Sequence, residues 1–350
     1  KAAIEGPGRV RLEKADGQTS NLEYDKLIIA TGTEPMNVSA FPFDHDNILS
    51  SNDILSLSDI PESMVIVGGG VIGCEFAFIF SALGTKVTVV EALSRVLPLP
   101  SVDKDISKLL HREMKKHKIT VLCDTIVTQA EKTDHGLDIR LDVSSFTDNP
   151  KPKKLKTKLL SAGKMAVCIG RSPLSSDLSL ETIGLETTKQ GWIEVNDKLE
   201  TRVEGVYAIG DILGPEKVML AHVASHEGII AAENAIGHNR TMDYDVIPGA
   251  IFTMPEVGTV GLSEEEAVNR GLEVEAYSLN FRTLGKAQAI DEIAGCAKMI
   301  VEKETGKILG VHLIGPHATD LIAEATLAIQ QGLTAEQIAP PPSPPPTPPF

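Results

Sequence analysis

The chain has 350 residues, enough for two or three domains with their own cores, and its 42% hydrophobic and 23% charged residues are ordinary for a globular protein. Its formal net charge of -15 argues against a nucleic-acid partner, because phosphate backbones bind surfaces rich in Lys and Arg. No apolar run is long enough to predict a membrane span, and the four cysteines lack CxxC or metal-ligand spacing. We therefore expect no nucleic acid, no membrane and no metal as partners.

The first predicted strand lies within Leu22–Pro35 and ends in a turn of small residues. The stretch from Met64 to Ala92 then predicts a strand, a glycine turn, a helix and a second strand. Its turn carries Gly68, Gly70 and Gly73 in the pattern G-x-G-x-x-G. In this pattern the first glycine permits a tight turn, the second lets the backbone approach a pyrophosphate, and the third allows close helix–strand packing. The free N–H groups of the helix N-terminus favour phosphate binding, so we expect a dinucleotide here.

The second strand of this unit, Lys86–Val90, is followed by Glu91, at about the spacing expected for the acid that binds the adenosine ribose. A carboxylate there accepts hydrogen bonds from the 2′-OH and repels a 2′-phosphate. The sequence therefore predicts NAD(H) rather than NADP(H) as the cofactor. The alternative is a glycine-rich turn that binds no ligand.

Further elements complete a nucleotide-binding domain between residues 63 and about 173. The segment DISKLLHREMKKHKITVLC predicts an amphipathic helix followed by a strand, and GLDIRLDV predicts another strand. The apolar strand within Lys164–Pro173 is stopped by Gly and Pro. Val203–Gly237 then predicts a strand, a turn carrying Asp211 and a long helix.

From Tyr244 onward, strands alternate with amphipathic helices in a pattern typical of a separate α+β domain. The segment Pro340–Phe350 is rich in proline, which can neither continue a helix nor donate to a sheet. We expect an extended polyproline or disordered tail there, and the alternative is a ligand for an SH3-type domain.

Taken together, these pieces resemble the pyridine nucleotide–disulfide oxidoreductases (class I), and among them the dihydrolipoamide dehydrogenases most closely. The resemblance covers residues 1 to about 339 and is carried by five ordered motifs. These are ATG (Ala30–Gly32), VGGGVIGCE with the later Glu91, CIGRSP (Cys168–Pro173), YAIGD with MLAH (Tyr207–Asp211 and Met219–His222), and FTMPEVGTVGLSEEEA (Phe252–Ala267).

The resemblance implies an α/β fold in which a Rossmann-like NAD-binding domain is inserted in a partial FAD-binding domain, with a C-terminal α+β dimerisation domain. The implied boundaries are a remnant of the FAD-binding domain at 1–60, the NAD-binding domain at 61–174, a central FAD-binding segment at 175–242, the dimerisation domain at 243–339 and the Pro-rich tail at 340–350.

The resemblance also implies two sets of cofactor-binding residues. For NAD they are Gly68, Gly69, Gly70, Val71, Ile72, Gly73, Glu75, Glu91, Val127 and Gly170, and for FAD they are Gly8, Thr31, Gly32, Thr33, Asp211, Met219, Leu220, Ala221 and His222. Glu75 is expected beside the nicotinamide, paired with a lysine of the flavin domain. Its alternative is an ordinary first-turn acid stabilised by the helix dipole. Asp211 is alternatively a turn or N-cap residue, and MLAH a helix start.

The implied function is that of an FAD-dependent NAD+ oxidoreductase of the dihydrolipoamide dehydrogenase type. Such an enzyme oxidises a dithiol to a disulfide and passes a hydride through the flavin to NAD+. The resemblance further implies a homodimer, a lipoyl-domain substrate from a 2-oxoacid dehydrogenase complex, and a cytoplasmic location, or the mitochondrial matrix in a eukaryote.

Two family features are absent from the sequence. The FAD glycine fingerprint with its C-x-x-x-x-C redox pair is not found, and Pro345 and Phe350 stand where the family has its catalytic His and Glu. Proline cannot transfer a proton. The chain also starts at Lys1 without Met. We therefore expect a truncated chain that is inactive as given and comes from an active parent enzyme.

Two alternatives to this function remain open. One is a related flavoprotein disulfide reductase, such as mercuric or glutathione reductase, or a soluble transhydrogenase, although Glu91 disfavours the NADP-dependent members. The other is a non-catalytic module that binds NAD and dimerises within a larger assembly.

Overall fold

The computed structural model describes residues 1–147 and 158–338. The predicted Pro-rich tail, with Pro345 and Phe350, lies outside these residues. The strands, in chain order, are β1 (Ala2–Gly6), β2 (Arg9–Glu13), β3 (Thr19–Glu23), β4 (Leu27–Ile29), β5 (Thr33–Pro35), β6 (Ile48–Leu49), β7 (Ser63–Val67), β8 (Lys86–Val90), β9 (Thr120–Leu122), β10 (Thr125–Thr133), β11 (Gly136–Val143), β12 (Leu159–Ala162), β13 (Lys164–Val167), β14 (Arg171–Pro173), β15 (Val206–Ala208), β16 (Gly249–Ile251), β17 (Glu256–Gly261), β18 (Val274–Asn280), β19 (Cys296–Glu302) and β20 (Ile308–Gly315). The helices are α1 (Ser51–Ile54), α2 (Val71–Ala82), α3 (Lys104–Lys116), α4 (Ala221–Ala235), α5 (Glu264–Asn269), α6 (Gly285–Ala289), α7 (Ala318–Gln330) and α8 (Ala335–Ile338).

The described residues divide into two compact units. The first contains Lys1–Met36 and Gly170–Tyr244, and the second contains Asn37–Ile169 together with the described residues from Asp245 on. The domain boundaries that the sequence predicts at residues 60, 174 and 242 remain predictions. None of the described helices is long and apolar enough to cross a bilayer.

The second unit is built on a parallel sheet with the strand order β6-β13-β7-β8-β9. Runs of β-branched residues favour its central strands, and the side chains of Val65, Ile66 and Val89 are buried as in a sheet covered on both faces. Helix α2 forms the crossover between β7 and β8 and buries all three of its phenylalanine side chains. The predicted strand–turn–helix–strand unit and the α/β fold class are therefore confirmed.

Helix α3 has the amphipathic pattern that the sequence predicts, with Ile106, Leu110 and Met114 buried on one face. It begins after Asp103, whose carboxylate accepts a hydrogen bond from the Asp105 N–H at 2.8 Å. Two lysines in its last turn interact favourably with the C-terminal end of the helix dipole.

The second unit also contains a three-stranded antiparallel sheet with the order β10-β11-β12 and a five-stranded antiparallel sheet, called the C-terminal sheet, with the order β16-β17-β20-β19-β18. Helix α7 covers one face of the C-terminal sheet, where a Cβ at Gly258 would overlap the carbonyl oxygen of Ala318. On the other face, Val257 and Ile314 join the same buried cluster as Phe78 and Leu110 from α2 and α3. The C-terminal sheet and the parallel sheet therefore share one core.

The first unit combines three small sheets with helix α4. Strands β1, β2 and β3 form an antiparallel sheet, β4 pairs in parallel with β15, and β5 pairs antiparallel with β14. The prediction of a single strand within Leu22–Pro35 is wrong in this respect, because the segment is divided among three sheets. The long helix predicted before Gly237 is confirmed as α4.

Three polar residues lie on the same face of the C-terminal sheet as Val257 and Ile314. They are Thr259, His312 and Lys298, which are cross-strand neighbours. All three are almost completely buried. The Nε2 atom of His312 lies 3.0 Å from the carbonyl oxygen of Leu262, to which it donates, while Nδ1 has no partner within the described ranges. Burial lowers the pKa of His312, so its imidazole is neutral at pH 7.

We predict that His312 makes the fold sensitive to mild acid. The unfolded chain protonates this histidine below its ordinary pKa of about 6.5, whereas the folded state resists protonation, so stability falls as the pH drops below about 6.5. The contribution reaches at most about 2 kcal/mol at pH 5. His312→Gln keeps an N–H for Leu262 and removes this contribution, so urea unfolding at pH 7 and pH 5 should differ less than in the parent.

The control for this prediction is His135→Gln, because His135 is exposed. It should keep the parent's pH dependence. An unchanged difference between pH 7 and pH 5 in the His312 variant would contradict the neutral buried state of that side chain.

Candidate functional site

The glycine turn between β7 and α2 is held by close contacts of backbone with backbone. Gly68 has φ +105°, a region that favours glycine, and its N–H donates to the carbonyl of Val90 at 2.8 Å. A Cβ on Gly68 would overlap the carbonyl of Cys168, and a Cβ on Gly73 would overlap the carbonyl oxygen of Gly68 itself. The turn can therefore take this shape only with glycine at both positions.

The same turn leaves open space beside the N-terminus of α2. Gly70 is the N-cap, makes no side-chain capping bond, and would carry a Cβ with no other atom within 4 Å. No acidic side chain lies in the first turn of the helix. The first N–H groups of α2, on Val71 and Ile72, are thus not capped by a side chain, which is the arrangement that binds a pyrophosphate.

Glu91 is hydrogen-bonded directly to the backbone of this turn. The residue is 6% exposed, and its carboxylate accepts two hydrogen bonds, Oε2 from the Gly69 N–H at 2.5 Å and Oε1 from the Leu93 N–H at 2.7 Å. Each carboxylate oxygen has a further lone pair for a ligand hydroxyl. The structure therefore brings the predicted acid and the glycine turn together, and the predicted contact of Glu91 with the ribose stays a prediction.

Glu75 lies on the fifth residue of α2, beyond its first turn, so its interpretation as an ordinary first-turn acid is wrong. The Oε1 atom accepts a hydrogen bond from the N–H of Phe252 at 2.9 Å. Burial raises the pKa of Glu75, and the hydrogen bond from Phe252 opposes this increase. The carboxylate thus links α2 to the segment between β16 and β17. Its predicted place beside a nicotinamide is untested.

Val127 and Gly170, the remaining residues predicted to bind NAD, lie in different units. Val127, on β10, is buried in a core cluster of the second unit together with Val90. Gly170 belongs to the first unit, has φ +141°, and accepts a hydrogen bond from the Met36 N–H at 3.1 Å. Their predicted places along the cofactor remain predictions.

In the first unit, Asp211 lies in a single 3₁₀ turn and contacts the strand pair β5–β14. The hydroxyl of Thr33 donates to its Oδ2 at 3.1 Å, and the Nε of Arg171 lies 3.7 Å from the same oxygen. Arg171 Nε also donates to the Thr33 hydroxyl at 2.5 Å. Thr33 and Asp211, both predicted FAD residues, are thus brought together, while Arg171 was not identified from the sequence.

The other predicted FAD residues also lie within the first unit. Gly8 lies in the turn between β1 and β2 and accepts from the Tyr24 N–H at 2.9 Å. Thr31 and Gly32 precede β5, and Gly32 has φ +64°. Leu220 is the N-cap of α4, which begins at Ala221 and includes His222, while Met219 precedes it. A helix therefore starts within MLAH, as the alternative interpretation of this motif expects, and the predicted contacts of these residues with FAD remain predictions.

Glu227 is a buried residue that sequence reasoning missed. It is 1% exposed, and its two carboxylate oxygens accept from the N–H of Gly210 and the hydroxyl of Tyr244, each at 2.6 Å. Burial, with the hydrogen bond to Glu227, raises the pKa of Tyr244. Glu227 thus positions the turn that carries Asp211. Its place in the middle of a helix carries no sequence signal for this role.

Two protein-family models match successive regions of the chain. The family described as pyridine nucleotide-disulphide oxidoreductase matches residues 1–228, and the pyridine nucleotide-disulphide oxidoreductase dimerisation domain matches residues 247–348. The first match alone covers more than half of the chain.

Curated relatives agree with this assignment. Dihydrolipoyl dehydrogenase 1, mitochondrial, of Arabidopsis thaliana is 36% identical over 334 residues, which cover 95% of this chain and 63% of the relative. Leghemoglobin reductase of Glycine max is 36% identical, with 95% and 61% covered, and the dihydrolipoyl dehydrogenase of Geobacillus stearothermophilus is 37% identical, with 90% and 64% covered. The chain therefore spans less than two thirds of the length of these relatives.

Solved structures share the same fold. LpdA from Mycobacterium tuberculosis has a TM-score of 0.85 and 26% identity, with 98% of this chain and 73% of that chain covered. The Cu(II) complex of the HOCl-induced flavoprotein disulfide reductase RclA from Escherichia coli has a TM-score of 0.84 and 22% identity, with 95% and 72% covered. The second likeness concerns the fold alone.

Alanine substitutions in the glycine turn should separate folding from binding. Gly73→Ala places a methyl group against the Gly68 carbonyl and should destabilise the fold by about 1–3 kcal/mol. Gly70→Ala meets no neighbour, so its stability should stay within about 0.5 kcal/mol of the parent, while NADH affinity falls about tenfold or more. Urea unfolding and calorimetric titration with NADH measure the two effects.

The two variants are matched controls, because each adds one methyl group to the same turn. Parent-like NADH affinity in the Gly70 variant would show that no ligand approaches the backbone there.

Proposed function

The chain belongs to the pyridine nucleotide-disulphide oxidoreductase family, and we propose that its full-length protein is a flavoenzyme of the dihydrolipoamide dehydrogenase type. In this reaction a dithiol is oxidised to a disulfide, one hydride reaches NAD+, and one proton is released. FAD and NAD are the cofactors of the family, in agreement with the sequence prediction. The relatives named dihydrolipoyl dehydrogenase support the choice of a dihydrolipoyl group as the dithiol.

The single observation that carries this proposal is the buried bond between Glu91 and the glycine turn. It holds a carboxylate at the carboxyl end of β8, beside an N-terminus of α2 that has no side-chain cap. In α/β sheets dinucleotides bind outside the carboxyl ends of the strands, where such a carboxylate can accept the ribose hydroxyls. A 2′-phosphate there would meet a negative charge in a poorly solvated place, which favours NAD(H).

The residues present fit both cofactors where they are expected. For NAD, the backbone N–H groups of Gly70, Val71 and Ile72 would bind the pyrophosphate, and Glu91 would orient the adenosine ribose. For FAD, the carboxylate of Asp211 is partly exposed and accepts a hydrogen bond from Thr33, and it would accept further hydrogen bonds from hydroxyl groups of the ribityl chain. Bound FAD would supply the transfer of hydride between the dithiol and the nicotinamide.

Two further proposals concern partners. The match to the family dimerisation domain from residue 247 supports a homodimer. The full-length protein is also proposed to act on a lipoyl domain of a 2-oxoacid dehydrogenase complex, since the curated dihydrolipoyl dehydrogenases are its relatives. The prediction that Pro345 and Phe350 replace the catalytic His and Glu concerns residues outside the described ranges and remains a prediction.

The proposed function predicts a flavin spectrum and a preference for NAD(H). The purified full-length protein should absorb as a flavoprotein and reduce NAD+ with dihydrolipoamide, and NADH should bind at least about tenfold more tightly than NADPH because Glu91 repels the 2′-phosphate. Absorbance spectra, a dihydrolipoamide assay and calorimetry with both nucleotides provide the measurements.

Glu91→Gln removes the negative charge but keeps an acceptor for the Gly69 N–H. This variant should therefore reduce the ratio of NADH affinity to NADPH affinity. Tighter binding of NADPH than of NADH by the parent protein would overturn the assignment of NAD(H) as the cofactor. A flavoprotein that is inactive with dihydrolipoamide would overturn the proposal of a dihydrolipoyl substrate.

A further inference from the structure

Lys298 lies at the centre of an ionic cluster that the proposed function does not use, in which Lys298 and Asp103 are buried while Asp105 and Glu264 are partly exposed to solvent. The residue is on β19 of the C-terminal sheet, and its side chain is 2% exposed. Its Nζ contacts Asp103 Oδ1 at 3.0 Å, Asp105 Oδ2 at 2.8 Å and Glu264 Oε2 at 2.7 Å. The ammonium thus has three acceptors for its three protons. Burial opposes the charged form, yet the three carboxylates raise the pKa of Lys298 above its ordinary value.

The carboxylates of this cluster lie at the first turns of two helices. Asp103 caps α3, and its second oxygen, Oδ2, accepts from the N–H of Glu264 at 3.3 Å. Glu264 is the first residue of α5, after the N-cap Ser263. Lys298 therefore links the N-terminus of α3, the helix between β8 and β9 of the parallel sheet, to the C-terminal sheet and to α5.

The segment between β8 and α3 connects this cluster to the glycine turn. At its start, the Leu93 N–H donates to Glu91 Oε1 at 2.7 Å. In its middle, the Leu97 N–H donates to the carbonyl of Gly69 at 2.7 Å, and the Leu97 side chain is completely buried. The segment thus contacts both the acid and the backbone proposed to bind the adenosine half of NAD.

The other end of the segment is held by α3 and by Arg95. The hydroxyl of Ser107, on α3, donates to the Val96 carbonyl at 2.5 Å. Arg95 donates through its two terminal nitrogens to the carbonyls of Val102 at 3.0 Å and Leu99 at 3.2 Å. A shift of the α3 N-terminus would therefore move the segment that carries the Leu97 and Leu93 bonds.

We propose that Lys298 is a positioning residue for the adenosine end of the dinucleotide site. It acts through Asp103 and the segment 92–102, which together hold the glycine turn and Glu91 in their binding geometry. The inference rests on the proposed function, because it assumes that the turn binds NAD(H). The C-terminal sheet would thus contribute to nucleotide affinity in addition to its proposed role in dimerisation.

A purely structural role of Lys298 is the alternative that the test must separate. Removing the ammonium leaves Asp103, which is 1% exposed, as an uncompensated buried charge, and this by itself destabilises the fold. Asp103→Asn neutralises that charge while keeping a good N-cap for α3. The double variant Lys298→Met with Asp103→Asn therefore recovers stability without restoring the tie between α3 and β19.

The experiment uses the full-length protein and three variants: Lys298→Met, the double variant, and the exposed control Lys303→Met. Calorimetry measures binding of NADH and of ADP-ribose, which is NAD without its nicotinamide ring. Thermal unfolding measures stability, and hydrogen exchange follows the amides of Leu93 and Leu97. We expect the double variant to melt close to the parent, bind both ligands about threefold to thirtyfold more weakly, and exchange both amides faster. The control should match the parent in all measurements.

The outcomes distinguish the inference from the function on which it rests. A double variant with both parent stability and parent affinity for ADP-ribose would make Lys298 a stabilising residue only. Unchanged exchange at Leu97 would likewise refute positioning through the segment. A parent protein that binds neither NADH nor ADP-ribose would instead refute the proposed dinucleotide site, and the exchange rates would still report whether Lys298 orders the segment.

Discussion

The second unit depends on one constraint, the close approach of backbone to backbone at the glycine turn. Gly68 lies against the carbonyl of Cys168, and Gly73 lies against the carbonyl of Gly68, so neither position has room for a side chain. This approach brings the N-terminus of α2 to the carboxyl end of β7. It also leaves the N–H of Gly69 directed at the carboxylate of Glu91. A strand, a helix and an acid are thereby held in one arrangement that suits a dinucleotide.

The C-terminal sheet extends this arrangement instead of standing apart from it. Its Val257 and Ile314 share a core with α2 and α3, and its Lys298 is bonded to the N-terminus of α3. Burying an ammonium is costly unless its partners are well placed, so the cluster also specifies a single alignment of helix and sheet. The neighbouring neutral His312 adds no second positive charge to this layer.

The first unit uses a similar device with different residues. Glu227 is buried in α4 and accepts from the N–H of Gly210, just before Asp211. A carboxylate with two good donors is stabilised where water cannot reach it, and it fixes the backbone that it contacts. In both units a buried acid thus holds a turn, and the polar groups proposed to meet a cofactor lie next to that turn. The family match over residues 1–228 includes both turns.

The sequence by itself determined the local elements and the family. The β-branched runs, the glycine spacing and the acid after β8 act over a few residues, so β7, α2, β8 and the long helix α4 were all predictable. Tertiary structure decided the division of Leu22–Pro35 among three sheets, because β4 and β5 pair with β15 and β14, which are distant in the chain, while the end of β3 pairs with β2. It also decided the partners of Lys298, since Asp103 lies 195 residues away, and only folding brings a lone lysine and a helix cap into contact.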